Sequence, residues 1–195
     1  MKRIFLTVSL CALFAAGALA QGMSGGLKAG LNLANFSGED VGDTDMRVAY
    51  HIGGFLNLGL SDVLSFQPEL LYNSVGTQVS EGNEKLVYKL NYVSIPLSLL
   101  YSFGTVNVQA GPQFSFLASA KGKASVGDDS AEIDIKDWFK GTDLGVNIGL
   151  GASFGKINAS ARYYLGLTDI PDSEGDAKIK NSNIQLSLGY KLFGD

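Results

Sequence analysis

From residue 143 to residue 154 nearly every second side chain is apolar. Leu144, Val146, Ile148, Leu150 and Ala152 fall on one side of an extended chain; Asn147, Gly149, Gly151 and Ser153 fall on the other. Successive side chains of a strand point to opposite faces, so this segment is a strand with one greasy face and one polar face. The pattern recurs and predicts eight strands: 26–36, 47–60, 64–74, 86–101, 106–118, 143–154, 157–167 and 183–193. In the fourth, Leu86, Tyr88 and Leu90 have the opposite parity to Val93, Ile95, Leu97 and Leu99. A bulge near Asn91 would bring the two halves onto one face.

The third segment, LSFQPELLYNS, decides what kind of sheet this is. Leu64, Phe66, Leu70 and Tyr72 share one parity, and Ser65, Gln67, Glu69 and Asn73 the other. The connections also alternate in length. Short ones fall near Ser61-Asp62, Ser102-Phe103-Gly104 and Gly155-Lys156; SGEDVGDTDM, GTQVSEGNEK, SAKGKASVGDDSAEIDIKDWFKGT and TDIPDSEGDAKIKNS are long and polar. Short turns at one end and long loops at the other are the pattern of outer-membrane barrels. The fold predicted is all-β: an eight-stranded antiparallel up-and-down transmembrane β-barrel with short periplasmic turns and long extracellular loops. Segments of about ten residues can span a bilayer, and a closed barrel satisfies every strand edge there.

On this reading the apolar faces meet lipid and the polar faces line the lumen. The lumen cluster is Lys28, Gln67, Glu69, Gln109, Gln113, Asn147, Arg162, Gln185 and Lys191. Glu69 is expected to pair with Arg162, with Lys28, Lys89 or Lys191 as substitutes. Aromatic residues are expected to form two interface belts. Phe36, Tyr50, Tyr72, Tyr88 and Trp138 mark the long-loop end; Phe66, Tyr101, Phe154, Tyr190 and Phe193 mark the short-turn end. Pro68, Pro96 and Pro112 cannot donate to a ladder, so each should mark a bulge or a local break.

The first twenty residues read as a cleaved signal peptide. Lys2 and Arg3 precede a short apolar run, and Ala18-Leu19-Ala20 is a small-x-small cleavage pattern. Residues 21–195 are then a single barrel domain. Loss of Lys2 and Arg3 takes the formal charge from −4 to −6, and the only cysteine, Cys11, leaves with the signal. An exported, acidic, thiol-free chain fits the outer membrane of a Gram-negative-type bacterium and argues against nucleic-acid partners.

Seven stretches carry a family resemblance: GLKAGLNLANFSG, SFQPELLYNSVG, KLNYVSIPLSLLYSF, AGPQFSFLASAK, KGTDLGVNIGLG, ARYYLGLTDI and NIQLSLGYKLF. In order, they span nearly all of residues 26–193. The chain resembles the small outer-membrane β-barrel domain of the porin family, also called PorT-like. The resemblance implies an eight-stranded outer-membrane barrel and little about activity, because eight strands enclose an interior about filled by side chains.

The sequence offers no cofactor motif. GVNIGLGASFG lacks the strand–turn–helix context of a nucleotide site. The acidic loops, with Glu39, Asp40, Asp43 and Asp45 in the first and Asp169, Asp172, Glu174 and Asp176 in the last, lack calcium-loop spacing. They read as solvated loops. His51, the only histidine, shares the polar face of its strand with Arg47 and reads as a lumen residue. The function expected is therefore non-enzymatic: a structural, adhesive or partner-binding role through the extracellular loops. The partners expected are outer-membrane lipid, the barrel-assembly machinery, and a protein or surface ligand at the loops. A narrow passive pore is the alternative. A lipid-modifying enzyme using His51 and a secreted lipocalin-like ligand binder are further readings.

Overall fold

The computed structural model describes residues 22–42, 44–82, 84–127, 129–172 and 178–194. The expected signal segment, 1–20, lies outside the described residues. Among the described residues nine strands follow one another: β1 Met23–Ser37, β2 Asp45–Gly59, β3 Leu64–Glu81, β4 Glu84–Phe103, β5 Val106–Val126, β6 Asp129–Asp134, β7 Thr142–Phe154, β8 Ile157–Gly166 and β9 Lys180–Phe193. Eight of them close a ring, β1-β2-β3-β4-β5-β7-β8-β9 and back to β1, with every neighbouring pair antiparallel. The short β6 pairs with the upper part of β5, outside the ring. Among the described residues no helix is long and apolar enough to cross a membrane.

The ring turns its greasy side out. Ile148 is 64% exposed and Leu188 65%, while the intervening parity holds Asn147, Arg162, Gln185 and Ser187, all buried. A soluble protein would bury the isoleucine and the leucine, each worth about 1.5–3 kcal/mol. Only lipid makes this inside-out arrangement stable.

β3, β4 and β5 run for 18, 20 and 21 residues, whereas β8 has ten. A tilted strand needs about 9–11 residues to cross a bilayer. The surplus of β3, β4 and β5, joined by β6, therefore projects beyond the long-loop end as a four-stranded sheet. Most of this projection lies in stretches expected to be loops. Their polar residues alternate with valine, alanine and leucine, and the turns fall at Gly82 and Gly127, whose φ values of 57° and 59° suit glycine.

The register of β4 on β5 shifts between Asn91 and Tyr92: Asn91 pairs with Ser119 and Tyr92 with Leu117, leaving Ala118 as the extra residue. The bulge thus lies where the parity break implies, but on the neighbouring strand. β4 itself does not reverse. Leu90, Tyr92 and Ser94 are all buried on the inner side, and Tyr88 packs there too. The prolines interrupt ladders without shifting register. Between β2 and β3 the pairing skips Pro68, passing from Phe55↔Glu69 to Leu58↔Phe66; between β3 and β4 it skips Pro96, from Pro68↔Leu97 to Leu71↔Ser94; and between β4 and β5 it skips Pro112, from Pro96↔Gln113 to Leu99↔Ala110. Pro112 keeps its pairing with Val146 of β7. A proline without its N–H breaks a ladder on one side only.

Candidate functional site

At mid-height the lumen is closed by charge. Glu69 of β3 points inward by parity and meets cations from two other strands. Lys28 Nζ of β1 donates to Oε1 at 2.6 Å. Arg162 of β8 donates through Nη1 to Oε1 at 3.1 Å and through Nη2 to Oε2 at 2.8 Å, a two-pronged grip. Gln67 Nε2 adds a donor to Oε1 at 2.7 Å. The side chains of Glu69 and Arg162 are both 0% exposed. Gly149 makes room for the guanidinium arm: a Cβ there would lie 2.7 Å from Arg162 Cγ. Glu69 thus has two cationic partners, which removes the cost of a lone buried charge.

Amides fill the rest of this level. Gln185 Nε2 donates to Asn73 Oδ1 at 3.3 Å, Ser98 Oγ to Asn147 Oδ1 at 3.0 Å, and Gln113 Nε2 to Ser115 Oγ at 3.3 Å. Gln109 and Lys191 line a cavity of about 170 Å³ toward the short-turn end, together with Lys28, Gln67 and several serines. Of the substitute cations for Glu69, Lys28 is used. Lys191 stays in this cavity, and Lys89 lies outside the ring, bonded to Glu132 at 2.9 Å.

His51 sits in a hydrogen-bonded chain that reading one strand at a time does not reveal. Its Nδ1 lies 2.8 Å from Asn32 Oδ1 and its Nε2 2.8 Å from Ser187 Oγ. Asn32 Nδ2 is committed as a donor to Asn73 Oδ1 and the Ser74 carbonyl, both at 2.7 Å. Asn32 Oδ1 therefore accepts from Nδ1–H, and Nε2 accepts from the Ser187 hydroxyl. Gly30 admits the ring, because a Cβ there would run into the Leu186 carbonyl and lie 2.7 Å from His51 Cε1. A serine next to a histidine is a nucleophile–base arrangement in outline. Here both are buried, and neither lines the cavity below.

The mouth is closed by apolar packing. Ala34, Val75, Leu90, Tyr92, Leu117 and Ala120 from the strands enclose Ile135 and Ile170 from the connections after β6 and β8. The connections also bond to each other. Phe139 bridges Pro171, Lys140 N–H donates to the Ile170 carbonyl at 2.8 Å, and Asp172 N–H to the Trp138 carbonyl at 2.9 Å. Lys178 ties the last connection to the first through its N–H on Asp40 and its Nζ on Glu39, both at 2.8 Å.

Two residues expected in the aromatic belts belong to this mouth. Phe36 and Tyr88 pack against the apolar cluster, with ring centroids 6.2 Å apart. Phe36 shares the inward parity of Asn32 and Ala34, and Tyr88 that of Leu90. Tyr50, Tyr72 and Trp138 are exposed at the long-loop end, and Tyr101, Phe154, Tyr190 and Phe193 at the short-turn end, with Phe66 half-buried beside them. Of the acidic loop residues, Asp43, Glu174 and Asp176 lie outside the described residues. Among the described residues no three metal-ligating groups gather.

The family model described as outer membrane protein beta-barrel domain matches residues 19–172. Among solved structures, Ail, the attachment invasion locus protein of Yersinia pestis, in complex with the heparin analogue sucrose octasulfate, is similar at 15% identity and a TM-score of 0.51. That match covers 88% of this chain and 99% of Ail. Neisserial surface protein A matches at 12% identity and a TM-score of 0.45, covering 87% of this chain and 97% of its own. The N-terminal β-barrel domain of Pseudomonas aeruginosa OprF matches at 12% identity and a TM-score of 0.40, covering 88% and 100%. No curated protein matches.

Proposed function

This chain belongs to the outer membrane protein β-barrel domain family and resides in the outer membrane of a Gram-negative-type bacterium, and we propose that it is a sealed pedestal holding a partner-binding surface outside the cell. The observation that carries this reading is the double closure of the lumen. A solute would have to part the Lys28–Glu69–Arg162 cluster and then displace Ile135 and Ile170 from the mouth. The surface offered to a partner is the projecting β3–β6 sheet with the bonded connections beside it, since binding residues concentrate on segments held by a rigid scaffold. The Ail structure of this fold is a complex with a heparin analogue, which supports reading such a barrel as a holder of ligands.

On this reading residues 1–20 are removed at export and residues 21–195 form one domain. The exposed aromatics at either end seat the barrel at the two interfaces. The lipid bilayer and the assembly machinery are then its first partners. The role proposed is not catalytic. Planar-bilayer recording of the purified protein tests the sealed lumen: no unitary conductance is expected, and steady openings at modest voltage would sink it.

A further inference from the structure

The outer face of the projecting sheet carries lysines where it leaves the membrane. β4 and β5 carry Val93, Ile95, Phe114 and Phe116 outward along the lipid band. The band ends at Asn91 and Ser119, whose amide and hydroxyl meet at 3.0 Å. Above them on the same outward parity come Lys89 and Lys121, directly opposite each other, then Lys123 and Lys85. The facing is fixed by their neighbours, because Leu90 and Ala120 are fully buried on the inner side. Lys89 lies two residues beyond Asn91, about 5 Å along the membrane normal for a tilted strand. The headgroup layer of one leaflet is roughly 5–8 Å deep. Lysine side chains rooted there end among the headgroups.

The charges on this face do not cancel. Like charges directly across a strand pair repel. Glu132 of β6 relieves part of this by bonding Lys89 at 2.9 Å and Lys121 at 2.8 Å. Those two lysines hold the Glu132 carboxyl well below the usual range, at about 2, so the bridge stays ionised in any ordinary medium. Against four lysines the outward face of β4, β5 and β6 carries two carboxylates: Glu132 and Asp134 balance Lys89 and Lys121 where the sheet leaves the membrane, and the excess of two positive charges is carried by Lys123 and Lys85, about 5 and 10 Å further out. The adjoining outward residues of β3, Gln78 and Ser80, are neutral. This local excess stands in a chain whose net charge is −4.

We propose that this lysine row docks the phosphate-bearing headgroups of the outer leaflet in which the barrel sits. It begins where the lipid band ends and faces sideways into the leaflet, so a lipid of the same membrane is the occupant it fits. A phosphate accepts from two neighbouring ammonium groups, as Lys89 and Lys121 are placed to provide. The inference goes beyond the pedestal reading and stands whether or not the lumen conducts.

Native mass spectrometry of the protein in detergent, with equimolar phosphatidic acid and phosphatidylcholine, tests it. The wild type is expected to retain phosphatidic acid preferentially, and the preference to fall as salt rises. In K89Q/K121Q/K123Q, each lysine removed should lower it about fivefold. Glu132→Gln, which frees two lysines, should raise it. Should the triple variant not fold, Lys89→Gln alone and the salt series carry the test. Equal preference in wild type and variants, or no effect of salt, overturns the proposal. So does lysine-dependent capture of soluble sucrose octasulfate by the protein in phosphatidylcholine nanodiscs without selectivity among lipids, which would assign the row to a soluble polyanion.

Discussion

At mid-height the lumen is filled by side chains of the strands that form the wall: Glu69, Lys28, Arg162 and the surrounding amides. At the mouth it is filled in part by Ile135 and Ile170, which arrive on connections between strands. The members of the first plug are rooted on hydrogen-bonded wall strands and held to one another by directional, charge-assisted bonds. The second can leave while the wall stays intact, because apolar packing has no preferred direction and the segments that carry it are held by a handful of backbone bonds. A charged plug therefore belongs to global stability, and an apolar one to local opening.

The largest effect is expected from breaking the charged plug. Glu69→Ala leaves Lys28 and Arg162 facing each other in a closed interior, a loss of about 3–5 kcal/mol. Denaturant unfolding in detergent measures it. A cycle with Arg162→Ala sharpens the point: strictly additive losses would show that the pair is not coupled. Next come the two faces of one strand. Ile148→Arg or Leu188→Arg should cost about 2–4 kcal/mol at the bilayer midplane, and Asn147→Ala much less. Equal costs would mean the faces are inverted.

The mouth should respond differently. Ile170→Ala removes about 2 kcal/mol or more of packing, but from the closed state of the mouth. Protease cleavage of the β8–β9 connection should speed up while the unfolding midpoint of the barrel barely moves. A large midpoint shift would erase the distinction drawn between the two plugs. The smallest effect concerns acid. The Glu132 carboxyl lies at about 2 in the folded chain, below its ordinary value of 4.5, because Lys121 and Lys89 bond it. Its contribution is present above about pH 4.5 and is lost as pH falls through about 2. The protection of β6 amides, relative to their intrinsic exchange rates, should fall on that descent, with that of the ring unchanged.

Much of this was readable from one dimension, and the limits are instructive. Period-two alternation with apolar residues outside gives both the strands and the inward set, because lipid on one side and a polar lumen on the other leave each parity a single environment. Arg162 was the expected partner of Glu69 and is found on it, but that Lys28 joins it, and not Lys89 or Lys191, was not readable. That depends on strand tilt and stagger, and the structure brings Lys28 and Arg162 together while sending Lys89 outside. Apolar parity misled at Leu86, Tyr88 and Leu90, since above the membrane band the mouth, not lipid, takes the greasy side. Phe36 failed for the same reason. The Asn32–His51–Ser187 chain joins β1, β2 and β9, and only register reveals it.

The pairing of β1 with β9 has a consequence for how the molecule comes to exist. These strands meet along thirteen register pairs, from Gly25↔Phe193 to Ser37↔Lys180. The seam joins the two ends of the domain, so no closed intermediate can precede synthesis of the last strand. Contacts this distant along the chain form slowly, after a long loop has been closed. Until then both edge strands remain unsatisfied and open to wrong pairing. The rate of that final zipping sets the interval during which the molecule is vulnerable.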